Sequence, residues 1–119
     1  MELKLIVAGG RDFNDYPLLD KTLNYLAFHF YVNEQISIVS GTARGADSLA
    51  LIFAKANDVK TYEFPANWNQ HGKSAGFIRN AEMAQFADAL VAFWDGQSRG
   101  TNHMIEYMQK LTKPIHIIN

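Results

Sequence analysis

Four arginines stand in the 119-residue chain, Arg11, Arg44, Arg79 and Arg99, and each keeps company with glycine. Gly9 and Gly10 precede the first, Gly41 and Gly45 bracket the second, Gly72 and Gly76 lead to the third, and Gly96 and Gly100 bracket the fourth. Glycine lets a backbone take positive φ or approach a ligand closely. Arginine offers a planar, permanently charged fork that matches phosphate or carboxylate oxygens. Together they specify an anion site. Around them lie further donors and acceptors: Ser40 and Thr42 beside Gly41, Ser98 and Thr101 beside Gly100, and the carboxylates Asp12 and Asp47. Asp12 fits a local turn as well as a ligand hydroxyl, and Asp47 fits a first helical turn. The Gly-Lys-Ser/Thr ending of a P-loop is absent, which disfavours an ATPase. With no cysteine, the chain has no disulfide, thiol nucleophile or cysteine zinc site, and no metal or organic cofactor is expected.

The elements that carry these residues follow from periodicity. Short apolar runs at Leu3–Ala8, Ile36–Ser40, Thr61–Phe64, Ala89–Trp94 and Ile115–Ile118 read as strands buried on both faces. Between them the period becomes helical. Leu19, Leu23, Leu26 and Phe30 recur after Pro17, and Ala46, Leu49, Ala50, Phe53 and Ala54 form a second stripe. Residues from about Ser74 to Ala87 make a third helix, and Met104, Met108 and Leu111 mark a fourth. The order βαβαβαβαβ predicts an α/β fold, a Rossmann-like three-layer sandwich whose five-stranded parallel sheet carries helices on both faces. Every glycine and every arginine then falls after one of the first four strands or at the start of the next helix. These positions share the carboxyl edge of the sheet, where such folds bind ligands. Asn33 and Asn57 are left to close the opposite, glycine-free turns.

Two aromatic residues reach the same edge. Trp68 opens the polar segment Trp68–Gly76, which reads as a flap whose indole stacks on a base or packs the loop to the body, and Trp94 ends the fourth strand. Arg79 and Glu82 lie three apart on the third helix, close enough to face one another.

Composition bounds the partners. The length fits one domain over residues 1–119, and no window approaches the roughly 20 apolar residues of a membrane span. The first ten residues read as a strand rather than a signal peptide, so a cytoplasmic place in a bacterium or phage-infected cell is expected. A formal net charge of −1 lacks the broad positive field of a nonspecific duplex binder, so nucleic acid is disfavoured. Self-association through apolar helix faces is expected.

The segments Gly9-Gly10-Arg11-Asp12-Phe13, Ser40-Gly41-Thr42-Ala43-Arg44-Gly45-Ala46-Asp47, Arg79-Asn80-Ala81-Glu82-Met83 and Gly100-Thr101 resemble the YspA-type, YpsA-related families of the SLOG superfamily. That superfamily also includes the LOG phosphoribohydrolases and the DNA-processing protein A family. The resemblance spans nearly the whole chain and implies a Rossmann-like domain that binds a nucleotide or nucleotide-derived molecule, with phosphate at Gly41–Gly45 and Ser98–Thr101 and with Asn80, Gly96 and Arg99 close by. LOG hydrolases use an arginine like Arg79 and a loop glutamate to cut an N-glycosidic bond. Here His103 stands where that glutamate is expected. Histidine exchanges protons near neutral pH but supplies no carboxylate for an oxocarbenium-like centre. Arg79, Asp95, His103 and Glu82 are therefore the catalytic candidates of a hydrolase or transferase reading, set against a pure binder and a single-stranded nucleic-acid module.

Overall fold

The computed structural model describes all residues, Met1–Asn119. Five strands, β1 (Glu2–Gly9), β2 (Gln35–Ser40), β3 (Thr61–Glu63), β4 (Ala89–Phe93) and β5 (Ile115–Ile118), form one parallel sheet in the order β3-β2-β1-β4-β5. Helices α1 (Tyr16–Tyr25) and α2 (Ala46–Ala56) carry the chain outward from β1 to β3. A short α3 (Trp68–His71) and then α4 (Ala75–Phe86) return it to β4, and α5 (Arg99–Lys110) leads to β5. The direction of winding thus reverses between β1 and β4. The loops after those two strands part there, leaving a crevice at the carboxyl edge.

Alternation along β1 divides the core. Leu5 and Val7 join α1 and α2 in one cluster with Leu19, Leu23 and Phe53, whereas Ile6 and Ala8 join Met83, Met104 and Met108 on the other face. All five residues of β4 are buried, as expected of an inner parallel strand. Complete burial of a side chain such as Leu5 or Leu90 contributes about 1.5–3 kcal/mol.

Two local expectations change. Asp15 caps α1 by accepting Leu18 N–H, and Pro17 lies in the first turn, but the helix widens into a π turn over Leu26–Phe30. The wider turn shifts the 3.6-residue stripe, so Leu26 remains buried while Phe30 is 58% exposed and packs edge-on against His116. At the glycine-free edge, Asn57 Nδ2 donates to Phe53 O, but Asp58 takes the left-handed position. Asn33 is not left-handed; Thr112 is, at the turn after α5. Lys113 Nζ donates to the carbonyls of Ala84, Gln85 and Ala87, closing the end of α4 without glycine. No helix is long and apolar enough to cross a membrane.

Candidate functional site

A cleft of about 780 Å³ opens at the carboxyl edge, within the usual range of small-molecule sites. Gly10 and Arg11 after β1, Asp47 on α2, Arg79 on α4 and Trp94 and Gly100 around the β4–α5 loop all reach it. A second pocket of about 290 Å³ adjoins it, sharing Arg11, Ala43, Trp68 and Arg79.

Arg79 is the hinge of the arrangement. Its Nη1 donates to Gly41 O at 2.6 Å and its Nε to Asn80 Oδ1 at 3.0 Å. The guanidinium therefore turns to the β2 loop and not to Glu82, which is exposed on α4 and outside both cavities. The expected Arg79–Glu82 contact is corrected by this geometry: a backbone carbonyl and a neighbouring amide hold Arg79 in the cleft. Asn80, nearly buried, extends the brace through Nδ2 to Gly100 O at 3.2 Å and His103 Nδ1 at 3.4 Å. One strut thus links the loop after β2 to the start of α5.

Asp47 lies behind the same loop. Its Oδ2 accepts Ala43 N–H at 3.2 Å. Burial outweighs that bond and the charges of Arg79 and Arg11, and pushes its carboxyl from 3.8 up to about 6. Arg79, partly withdrawn from water, has its proton affinity lowered by burial despite Asp47. Ser40 is fully buried, donating to Asp47 O and accepting from Thr42 N–H, so it fixes the loop instead of presenting its hydroxyl to a ligand.

The glycines divide by role. A Cβ at Gly41 would meet Arg79 Nη1 at 2.5 Å and Asp47 Oδ2 at 2.8 Å, so Gly41 admits the guanidinium. Gly45, at φ +81, lies against Gly10 O, and Gly9 makes room for Ala46 and Phe93 O at 2.7 Å. Gly96 serves a turn at φ +83 and lies outside both cavities, whereas Gly100 borders open cleft.

Around α5, Asp95 Oδ1 accepts N–H from Gln97 at 2.8 Å and Ser98 at 2.9 Å, which holds its carboxyl below the usual range. Ser98 caps α5, with Thr101 N–H and Thr101 Oγ1 both on its hydroxyl. Trp94 Nε1 donates to Ser98 O at 3.3 Å while the residue lines the cleft. Trp68 is 51% exposed at the opposite lip, its ring tip 3.6 Å from a Cβ placed on Gly76. The segment expected to be a flap is a helical turn, capped by Asn67 through Gln70 N–H. Asp12 borders the cleft, Thr42 and Arg44 border the smaller pocket, and Arg99 reaches neither. His103 also stands outside, its ring 4.5 Å from that of Phe77, with burial lowering its proton affinity. Sequence reasoning missed Lys73, Phe77 and Asn119 in the cleft lining. Asn119 was signalled only by its place just after the fifth strand.

Residues 3–71 match the family described as the YspA, cpYpsA-related SLOG family. The chain belongs to that family. Gene 61 protein of Mycobacterium phage D29 is 39% identical over 84 residues, covering 66% of this chain and 67% of that protein. DNA processing protein A from Streptococcus pneumoniae superposes with a TM-score of 0.78 at 19% identity, covering 99% of this chain and 50% of the other. The Helicobacter pylori protein of that name, described by its single-stranded DNA binding mode, gives 0.70 at 22%, covering 98% and 65%. The protein TM1055 gives 0.67 at 15%, covering 97% and 72%. The chain therefore spans about half the length of the Streptococcus protein, and these structural likenesses establish the Rossmann-like fold.

Proposed function

We propose that the chain is a single SLOG domain that binds a nucleotide or nucleotide-derived, phosphate-bearing small molecule in this cleft, in the cytoplasm of a bacterium or phage-infected cell. The observation that carries the reading is Arg79, which borders both cavities and is held by Gly41 O and Asn80. A guanidinium has five N–H donors; with two engaged, three are left for a ligand. Family membership supports the same reading. Glu82 and His103 lie outside the cavities, so two of the four catalytic candidates are poorly set for turnover, while Asp95 borders the cleft with Oδ1 tied to its own loop. One observation favours the glycosidic hydrolase reading: Asp47, whose carboxyl near 6 suits proton exchange and which borders the cleft.

Calorimetric titration with mononucleotides and dinucleotides, with free base followed in parallel, tests the proposal. Arg79→Ala should weaken binding by about 1.5 to 3 kcal/mol, the value of a hydrogen bond to a charged group. Unchanged affinity removes the site. Rapid base release that Asp47→Asn abolishes makes the protein an enzyme. Preference for a single-stranded oligonucleotide over every small nucleotide places it with the nucleic-acid binders.

A further inference from the structure

We infer that the anionic end of the ligand enters the smaller pocket, between Arg11, Arg44 and Arg79, and not the N-terminus of α5. This deepens the nucleotide reading and chooses between the two phosphate places, Gly41–Gly45 and Ser98–Thr101, that the family resemblance implies.

Charge decides between the two places. Three arginines border the smaller pocket, and none of its nine lining residues is acidic. In the cleft, Arg11, Lys73 and Arg79 are opposed by Asp12, Asp47 and Asp95. For a chain of net charge −1, three guanidinium groups around about 290 Å³, countered only by the Asp47 carboxyl behind Gly41, are a local excess that a phosphate relieves.

The α5 end is already supplied with an anion. Asp95 accepts the N–H groups of Gln97 and Ser98, and Ser98 Oγ accepts that of Thr101. A phosphate there would compete for these three donors, would find only the Arg99 and Gly100 N–H groups free, and would face the Asp95 charge. Asp95 Oδ2 lies 3.8 Å from a Cβ placed on Gly10, on the side where both residues border the cleft. That oxygen suits a sugar hydroxyl, which donates to a carboxylate.

Thr42 holds φ +64, a left-handed conformation costly for a β-branched residue, with its N–H on Ser40 Oγ. Because Arg11, Ala43, Trp68 and Arg79 border both cavities, a ligand passes from one to the other between the two arginines and beside the indole. The base and sugar occupy the cleft and the phosphate occupies the pocket.

Calorimetry at low salt with inorganic pyrophosphate, the four ribonucleoside monophosphates and their nucleosides tests the orientation. Arg44→Ala, at an exposed position, should weaken pyrophosphate and monophosphates at least tenfold and leave nucleosides unchanged. Asp95→Asn should weaken nucleosides and monophosphates several-fold and leave pyrophosphate unchanged. Tighter phosphate binding in Asp95→Asn together with an indifferent Arg44→Ala would overturn the inference. If pyrophosphate binds and requires Arg44 while no nucleotide or nucleoside binds, the anion pocket stands and the nucleotide reading fails. If nothing binds, both fail.

Discussion

Replacing Asp47 by asparagine should stabilise the protein at alkaline pH and leave it nearly unchanged in acid. Asp47 is 7% exposed, and its carboxyl titrates near 6 in the fold against 3.8 without it. The folded state therefore holds a proton that the unfolded chain releases, and the contribution is present in full below 3.8 and lost as pH rises through about 6. A difference of roughly two pH units corresponds to about 3 kcal/mol at 1.36 kcal/mol per unit. Asparagine keeps an oxygen for Ala43 N–H and carries no charge, so the variant should escape the loss. Urea unfolding followed by tryptophan fluorescence at pH 4 and pH 8, on wild type and Asp47→Asn, reads the difference directly. Other shifted groups, such as His103 and His116, affect both proteins and cancel. A stability gap that is equal at the two pH values, or wild type more stable than the variant at pH 8, would refute the reasoning.

Gly45→Ala should destabilise by about 1 to 3 kcal/mol or more, because φ +81 suits glycine and the new Cβ meets Gly10 O; thermal melting followed by circular dichroism checks this. Gly100→Val, by contrast, should melt as wild type, since nothing lies within 4 Å of its Cβ, while nucleotide affinity falls because the side chain enters the cleft. Trp94→Phe should remove most of the fluorescence change on nucleoside binding, because Trp94 borders the cleft and not the smaller pocket. Full retention of the signal would assign it to Trp68.

The sheet was legible because each strand is a short apolar run and each crossover is helical, and the five predicted strands match those observed to within two residues. The position of the cleft was legible in part, because Gly9, Gly10, Gly41, Gly76, Gly100, Arg11, Arg44 and Arg79 border the two cavities while Gly45, Gly72, Gly96 and Arg99 do not. Their individual roles were not, since those depend on neighbours distant in sequence. Gly41 is needed by Arg79, 38 positions away, and Ser40 turns inward to Asp47. Helical spacing placed Glu82 near Arg79, but spacing cannot show that Gly41 O competes for the guanidinium. The π turn at Leu26–Phe30 likewise left no trace in the apolar stripe. Asn80, marked in the sequence only by the family motif and as a ligand contact, becomes the brace between α4 and α5 only when the β4–α5 loop lies beside it.

The central claim, that a nucleotide-derived ligand occupies the carboxyl edge, is tested most directly by amide chemical-shift mapping on isotope-labelled protein titrated with nucleotides. Binding there should move the resonances of Gly10, Ala43, Asn80 and Gly100, which border the cleft, and leave those of Asp58 and Thr112 at the opposite turns in place. Shifts confined to those opposite turns or to the exposed aromatic residues Phe28 and Phe30, or no shifts at millimolar nucleotide, would contradict it.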